Sequence, residues 1–188
     1  MSTLDEAHVR DVVRQVVERH LGAAAAPVTE PGPRPGAERR VALGADHGGY
    51  ALKEVLKRAI EDELGWSVQD CGTHSADAVD YPDYAAAVAR EVAGGRCARG
   101  IVVDAAGVGS TMAANKVAGV RCALCHDDLT TVNARAHNDA NVLALGARVV
   151  NRGLATRLVR LFLATPFEGG RHERRVRKID ALDRARSS

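Results

Sequence analysis

Short apolar segments alternate with longer amphipathic ones along most of this chain, beginning at Arg40. Each apolar segment has the length of a buried strand, and each amphipathic segment has the three-to-four-residue spacing of a helix. A helix between two strands brings the chain back beside the first strand in the same direction, so this alternation is typical of parallel sheets covered on both faces. The sequence therefore predicts a three-layer α/β fold around a five-stranded parallel sheet.

The boundaries of the elements follow from where each pattern changes. The predicted strands are residues 41–45, 66–71, 101–104, 120–125 and 142–146. The predicted helices are residues 50–64, 84–93, a stretch ending near 116, a stretch ending near 136, 154–163 and about 168–185.

The third predicted strand leads into the turn Asp104-Ala-Ala-Gly-Val-Gly-Ser110 and an alanine-rich helix. Ligands of open parallel sheets bind beyond the carboxyl ends of the strands, so Asp104 is expected at the rim of a site. Backbone N–H groups at the start of a helix suit a phosphate or a developing oxyanion. The turn lacks the third glycine of a dinucleotide fingerprint and the Gly-Lys-Ser/Thr of a P-loop, so a purely structural turn is the alternative.

Composition excludes several classes of function. The 188 residues carry a net charge of +2 and only 3% aromatic residues, which gives no general case for nucleic-acid binding. No apolar run approaches about 18 residues, so no membrane span is expected, and the N-terminus lacks a secretory signal. Cys122 and Cys125 have C-x-x-C spacing, but on a strand this odd spacing sends the thiols to opposite faces. Reduced thiols are therefore favoured over a zinc or redox site.

The N-terminal region is predicted to be a separate element. Residues 1–21 form an amphipathic helix whose apolar stripe consists of Val9, Val12, Val13, Val16 and His20. Residues 22–38 contain four of the six prolines and are predicted to be a linker. Together they resemble the encapsulation peptides that carry enzymes into bacterial microcompartments. This implies docking of residues 4–21 on shell proteins in a compartment lumen; an extra helix packed on the domain is the alternative.

Polar side chains follow several predicted strands, end the fourth helix and begin the last one. Because the turns after parallel strands meet at one edge of a sheet, we expect these side chains to share one crevice. They are Asp46, His47, Tyr81, Asp104, His137, Asn138, Arg148, Arg171 and Arg175. Arg171 and Arg175 are spaced i, i+4, so they share a helix face and could clamp a phosphate together.

Five motifs, in order, resemble the ribose-5-phosphate isomerase B and galactose-6-phosphate isomerase family over about residues 39–183. They are Gly44-Ala-Asp-His-Gly-Gly-Tyr50, Asp80-Tyr-Pro-Asp-Tyr-Ala85, the turn Gly107-Val-Gly109 with Ala113-Ala-Asn-Lys116, His137-Asn-Asp-Ala-Asn-Val-Leu143, and Gly169-Gly-Arg-His172. The resemblance implies a Rossmann-like domain over residues 39–185. It also implies a homodimer or dimer of dimers, with an active site at the subunit interface that uses no metal or cofactor.

The resemblance also implies roles for individual residues. The sugar and its ring opening would be handled by Asp46, Tyr81, His137 and Asn138. The phosphate would be bound by His47, Arg171 and Arg175, with Arg148 reaching in from the partner subunit. The turn that contacts the substrate would supply Ala105, Gly107, Gly109 and Ser110.

The reaction implied is aldose–ketose isomerisation, in which a base moves a proton between C2 and C1 through a cis-enediolate. The family's usual base is a Cys at the position of Asp104, and a second branch has a Glu at the position of Ser110. This chain has neither, and Ala106 replaces the hydroxyl residue that helps to polarise the substrate. One hypothesis is an active isomerase with Asp104 as the base, its pKa raised by burial.

The alternative hypothesis is a non-catalytic member that binds sugar phosphates or has a structural role. A related possibility is a subunit that needs a Cys-bearing paralogue. The turn Asp104-Ala-Ala-Gly-Val-Gly-Ser110 resembles that of the A subunit of galactose-6-phosphate isomerase, which lacks the catalytic Cys and works beside a B subunit.

Overall fold

The structure, a computed structural model, describes residue 37 and residues 39–186. The helix expected at residues 1–21 and most of the linker expected at 22–38 lie outside the described residues. The strands are β1 (Arg40–Ala45), β2 (Ser67–Asp70), β3 (Arg99–Asp104), β4 (Cys122–Leu124) and β5 (Val142–Gly146). The α-helices are α1 (Tyr50–Arg58), α2 (Tyr81–Ala93), α3 (Val108–Ala114), α4 (Asp128–Ala136), α5 (Arg152–Ala164) and α6 (Glu173–Arg186).

All neighbouring strands of the sheet are parallel, in the order β2-β1-β3-β5-β4. The chain moves outward from β1 to β2 and then crosses to β3 on the other side of β1. This reversal opens a crevice at the carboxyl ends of β1 and β3, where Asp46 and Asp104 lie. The predicted three-layer α/β fold with five parallel strands is confirmed.

Helices cover both faces of the sheet, and successive strand residues point to opposite faces. Val41 and Leu43 of β1 pack in a core with residues of α1, α4 and α5, whereas Ala42 packs on the other face with α2 and α3. Between their end residues, the central strands are apolar because neither face meets solvent. No helix of the described residues combines the length and apolar character needed to cross a membrane.

The two ends of the strands define two edges of the sheet, which we call the upper edge (carboxyl ends) and the lower edge (amino ends). A helix that follows a strand returns the chain to the lower edge. After α4, the carbonyl of Asn141 accepts the N–H of Gly100, near the start of β3, at 2.9 Å. After α5, Glu168 donates its N–H to the carbonyl of Ala136 at 2.9 Å. The segments after α4 and α5 therefore lie together at the lower edge.

Two helix boundaries differ from the sequence-based expectations. The second helix, expected at residues 84–93, begins at Tyr81. Pro82 stands in its first turn, where the fixed φ of proline suits a helix and its missing N–H costs nothing. The first helix, expected to continue to residue 64, is α-helical only to Arg58 and then forms a π-helical turn over Ala59–Glu63.

The last helix begins later than expected, at Glu173 rather than near residue 168. Gly169 and Gly170 both have positive φ, of 63° and 54°, a conformation that an α-helix cannot include. A 3₁₀ turn over Gly170–His172 connects this break to α6.

Candidate active site divided between two edges of the sheet

Asp46 and His47 lie at the upper edge, directly after β1. The Asp46 side chain is 7% exposed, and its Oδ1 accepts the N–H of Gly49 at 2.9 Å. The exposed imidazole of His47 has its Nδ1 3.2 Å from both the N and the O of Val79. This contact ties the turn after β1 to the loop that follows β2.

Tyr81 also lies at the upper edge, against the turn that begins α3. A Cβ atom at Gly109 would come within 2.5 Å of the Tyr81 ring and 3.0 Å of its hydroxyl. Only glycine therefore allows the ring to lie this close to the turn. Tyr81 is 41% exposed, so its side chain is accessible to a ligand in the crevice.

The carboxylate of Asp104 is the centre of the turn that follows β3. Its Oδ1 accepts the N–H groups of Ala106, at 2.8 Å, and of Gly107, and its Oδ2 accepts the N–H of Ser110 at 2.9 Å. The side chain is 5% exposed. Three N–H groups of the turn that we expected to be open to a ligand therefore bind this chain's own carboxylate.

These hydrogen bonds decide the charge of Asp104. Burial raises its pKa, but hydrogen bonds from the Ser110 side chain and from the N–H groups of Gly107, Ser110 and Ala106 outweigh that effect. The pKa of Asp104 consequently lies below its ordinary value, as expected for a carboxylate that accepts several donors. The expectation that burial would raise this pKa is wrong. Asp104 is therefore ionised at neutral pH, and its lowered pKa makes the carboxylate a weak base.

The same turn is tied to β4 and to the loop after β5. Gly107 has a φ of 81°, and a Cβ atom there would come 2.3 Å from the Leu124 side chain of β4. Ala105 accepts the N–H of Arg148 at 3.0 Å. The exposed Arg148 side chain thus starts beside the turn, at the upper edge.

Four predicted site residues lie at the lower edge instead: His137, Asn138, Arg171 and Arg175. His137 is the C-cap of α4, and the two arginines lie in and after the 3₁₀ turn that precedes α6. The six residues of β3 separate the two edges by about 17 Å. A single chain therefore does not gather all these residues in one crevice. The physical reason is that α4 and α5 carry the chain back to the opposite edge.

A cluster at the lower edge contains residues that the sequence reasoning missed. The rings of His137 and His172 are stacked, with centroids 4.1 Å apart and an interplanar angle of 4°. Glu168 directs its Oε2 to Nε2 of both rings, at 3.5 Å and 3.8 Å. Arg171 donates its Nε–H to Nε2 of His172 at 3.2 Å. We call His137, Glu168 and His172 the lower-edge cluster.

The lower-edge cluster is also the group of described residues whose ligand atoms come within 4.8 Å of one another, as a metal site requires. Its geometry does not favour a metal, because parallel rings direct their in-plane lone pairs side by side rather than to one point. The Arg171 guanidinium, bonded to His172, would also repel a cation. The arrangement fits one imidazole, that of His137, acting on a ligand directly while stacked on the buried ring of His172.

The four cysteines offer no replacement for the missing Cys base. All are free thiols, and Cys122 and Cys125 belong to cores on opposite faces of the sheet, as their odd spacing predicts. Burial raises the pKa of Cys71 and Cys122 to about 12 and that of Cys97 to about 11. Burial also raises the pKa of Cys125. These thiols therefore stay protonated at neutral pH, and a protonated thiol is a poor base.

The fold agrees with comparisons to known proteins. The chain belongs to the Ribose/Galactose Isomerase family, whose sequence model matches residues 41–179. Ribose-5-phosphate isomerase B of Escherichia coli is 43% identical over 150 residues, which are 79% of this chain and 99% of that protein.

Two solved structures support the same membership. Ribose-5-phosphate isomerase B of Clostridium thermocellum is 44% identical, with a TM-score of 0.76, over 78% of this chain and 99% of that one. The Thermotoga maritima protein of the same name is 43% identical, with a TM-score of 0.73, over 76% and 97% of the two chains. The family resemblance read from the five motifs is confirmed.

Proposed function

We propose that this protein is an aldose–ketose isomerase of a phosphorylated sugar, of the type that converts ribose 5-phosphate to ribulose 5-phosphate. Similarity to relatives named for that reaction supports the proposal. Asp46, Tyr81, His137 and Asn138 handle the sugar and its ring opening. The phosphate is bound by His47, Arg148, Arg171 and Arg175.

Transfer of the proton between C2 and C1 is assigned to Asp104. The family resemblance places this residue at the position of the usual catalytic Cys. Its carboxylate is ionised, so it is in the form that accepts a proton, although its lowered pKa weakens it as a base. The proton taken from C2 passes to the carboxylate, which leaves the cis-enediolate, and then returns to C1 while the hydroxyl proton of O2 is transferred to O1. The oxyanion has to be stabilised by donors other than the N–H groups of Ala106, Gly107 and Ser110, because those three bind Asp104.

The observation that carries this proposal is the division of the site residues between the two edges. A chain that holds Asp46, His47 and Tyr81 at one edge and His137 and Arg171 at the other cannot close a site around one small sugar phosphate. Two copies related by a two-fold axis can do so, because the axis sets the upper edge of one against the lower edge of its partner. The active unit is therefore a homodimer, or a dimer of dimers, with shared sites.

The surface proposed for the second copy is the outer side of β4, the last strand of the sheet. A groove of about 560 Å³ follows this strand and reaches from Leu129 to Asn138, next to His137. Leu129 is 78% exposed and Ile179, which also lines the groove, is 45% exposed. A two-fold axis through this groove reverses the strand direction and buries these apolar side chains.

Mixed dimers test the shared site. Asp46→Asn and His137→Asn are each expected to be inactive as homodimers. When the two variants are refolded together, half of the dimers are mixed and each mixed dimer has one site with both native residues. Activity is expected to return to about a quarter of the wild-type value, as measured by isomerisation of aldose phosphates.

The matched control is a mixture of Asp46→Asn with Asp104→Asn. Both residues lie at the upper edge, so every mixed dimer keeps a defect in each site and no activity is expected to return. A site contained in one chain would give no recovery in either mixture, and that result would contradict the proposal.

A second candidate function is a non-catalytic sugar-phosphate-binding or structural role, alone or beside a Cys-bearing paralogue. The engaged oxygens of Asp104 favour it, because a carboxylate that accepts three backbone N–H groups resembles a structural element of the turn. This function predicts that the wild-type chain binds sugar phosphates in calorimetry but isomerises none. Activity would then appear only when the paralogue is added.

We also propose that residues 4–21 direct the chain to microcompartment shell proteins. The support is the apolar stripe and the linker in the sequence alone. Residues 1–22 fused to a fluorescent reporter are expected to co-sediment with assembled shells. The same fusion with Val12→Asp and Val16→Asp, which places charges on the stripe, is expected to remain in the supernatant. Loss of solubility when residues 1–22 are deleted would instead favour a helix packed on the domain.

A further inference from the structure

The lower-edge cluster has a feature that the assigned roles of His137 do not explain. Glu168, a residue without an assigned role, presents its carboxylate to the ring of His137. Its backbone is fixed to the same place, because its N–H donates to the carbonyl of Ala136, the residue before His137. The carboxylate and the imidazole are therefore held together by the main chain as well as by attraction.

The neighbours of His137 indicate which of its nitrogens carries the proton. Asn138 donates its amide N–H to Oδ1 of Asn133 at 3.1 Å, which leaves the amide nitrogen of Asn133 as the atom that faces His137. That nitrogen lies 2.8 Å from Nδ1 of His137, so Nδ1 acts as the acceptor. The proton of the neutral ring is then on Nε2, the atom that faces Glu168 at 3.5 Å.

The second ring of the stack does not compete for the carboxylate. Nε2 of His172 accepts the N–H of Arg171, so it has no proton to give to Glu168. Burial, with the nearby His137 and Arg171, lowers the pKa of His172 below its ordinary value. His172 is thus neutral, and the charged groups around the stacked pair of rings are Glu168, Arg171 and Arg175.

We propose that Glu168 is a positioning residue for His137, an inference that rests on the proposed isomerase function. Its carboxylate aims the Nε2–H of His137 and offsets positive charge on that ring while His137 moves a proton in ring opening. The separation of 3.5 Å is long for a hydrogen bond, and such contacts shorten when substrate completes the site. Without Glu168, the Nε2–H of His137 would lose the carboxylate that faces it.

Kinetics with two kinds of substrate separate positioning from general structural support. An aldose 5-phosphate exists mostly as a closed ring, whereas a tetrose 4-phosphate cannot form a furanose because its O4 carries the phosphate. For an aldose 5-phosphate, Glu168→Gln is expected to lower kcat about tenfold and Glu168→Ala further, because Gln keeps an acceptor oxygen. For the tetrose 4-phosphate, kcat is expected to change less than about twofold.

The KM values and a matched variant complete the kinetic test. Loss of a carboxylate beside Arg171 and Arg175 removes a charge that repels phosphate, so KM is not expected to rise. Glu173→Gln removes a carboxylate about one turn away that pairs with Arg177. This variant is expected to change kcat and KM for neither substrate. Equal losses on both substrates, or a raised KM, would mean that Glu168 only supports the fold.

A measurement on the resting protein keeps this inference separate from the proposed activity. In NMR spectra of the wild-type protein, the Nε2 proton of His137 is expected to give a resolved, slowly exchanging signal. That signal should persist in Glu168→Gln and Glu173→Gln and be lost to solvent exchange in Glu168→Ala. A signal that survives in Glu168→Ala would overturn the inference, whereas a wild-type chain without isomerase activity would overturn only the proposed function.

Discussion

Replacement of Asp104 with alanine is expected to lower the free energy of unfolding by about 3 kcal/mol or more. The change removes the acceptor of three N–H groups, those of Ala106, Gly107 and Ser110. A buried donor without a partner costs about 1–3 kcal/mol. Asp104→Asn is expected to cost less, because one amide oxygen still accepts. Urea denaturation of both variants measures the difference.

Acid should remove the stability difference between the wild type and Asp104→Asn over a predictable pH range. The pKa of Asp104 is lower in the folded chain than its ordinary value, so its contribution is complete above the pKa of the unfolded state, about 3.9. That contribution is lost as the pH falls through the folded-state pKa. The difference in the free energy of unfolding between the wild type and Asp104→Asn is therefore expected to be constant from about pH 5 to about pH 7. It is expected to disappear below about pH 4.

The control for this experiment is Asp62→Ala, an exposed aspartate in the π-helical turn. It is expected to change stability by less than about 0.5 kcal/mol at every pH. If Asp104→Ala costs no more than Asp62→Ala, the hydrogen bonds in the turn do not hold the loop together.

The same two variants test Asp104 as the base. Loss of a positioned general base typically lowers turnover about 100-fold or more, so Asp104→Ala and Asp104→Asn are both expected to lose at least that factor. Their affinity for sugar phosphates should change little, since the phosphate contacts lie elsewhere. Unchanged turnover in both variants would rule out Asp104 as the base.

Replacement of Arg135 with methionine is expected to lower the free energy of unfolding by about 3–5 kcal/mol. Arg135 is 1% exposed and donates to Oδ1 of Asp139 at 2.7 Å and to the carbonyls of Ala140 and Thr165. It therefore joins the end of α4 to the segment after α5. Methionine fills a similar volume but leaves both carbonyls without their donor.

A surface ion pair is the appropriate comparison for Arg135. Arg160 pairs with Glu63 at 3.0 Å, and both side chains are 54% exposed. Arg160→Met is expected to cost less than about 1 kcal/mol, because solvent screens exposed pairs. Similar losses in the two variants would show that burial adds nothing to the Arg135 network. Arg135→Met should also lower kcat, because the two segments that Arg135 joins carry His137 and Glu168.

Much of the fold was predictable because the central strands are apolar on both faces. The runs at residues 41–45 and 142–146 can only be buried strands, and their alternation with helices determines a parallel sheet. Boundaries were predicted less well where one residue decides them. Pro82 starts α2 early, and Gly169 and Gly170 delay α6.

The sequence provided a set of candidate site residues but not their arrangement. The turn after β3 contained a usable signal, because an Asp followed by small residues often accepts their N–H groups. That signal would have shown Asp104 as an acceptor in its own loop. The direction of α4 was also available, since a helix after a strand runs to the opposite edge. The contact between Glu168 and His137 joins distant segments, so no local pattern contains it.

Division of the site between opposite edges also determines how the protein responds to dilution. In the proposed pairing, a lone chain has no complete site, so the rate per chain falls when the total concentration drops below the dissociation constant of the dimer. Confinement in a small volume keeps the local concentration above that dissociation constant, so the chains remain paired even when few are made. The proposed targeting segment at residues 4–21 would bring chains together in a closed compartment. The high local concentration there would favour the dimer and therefore the complete site.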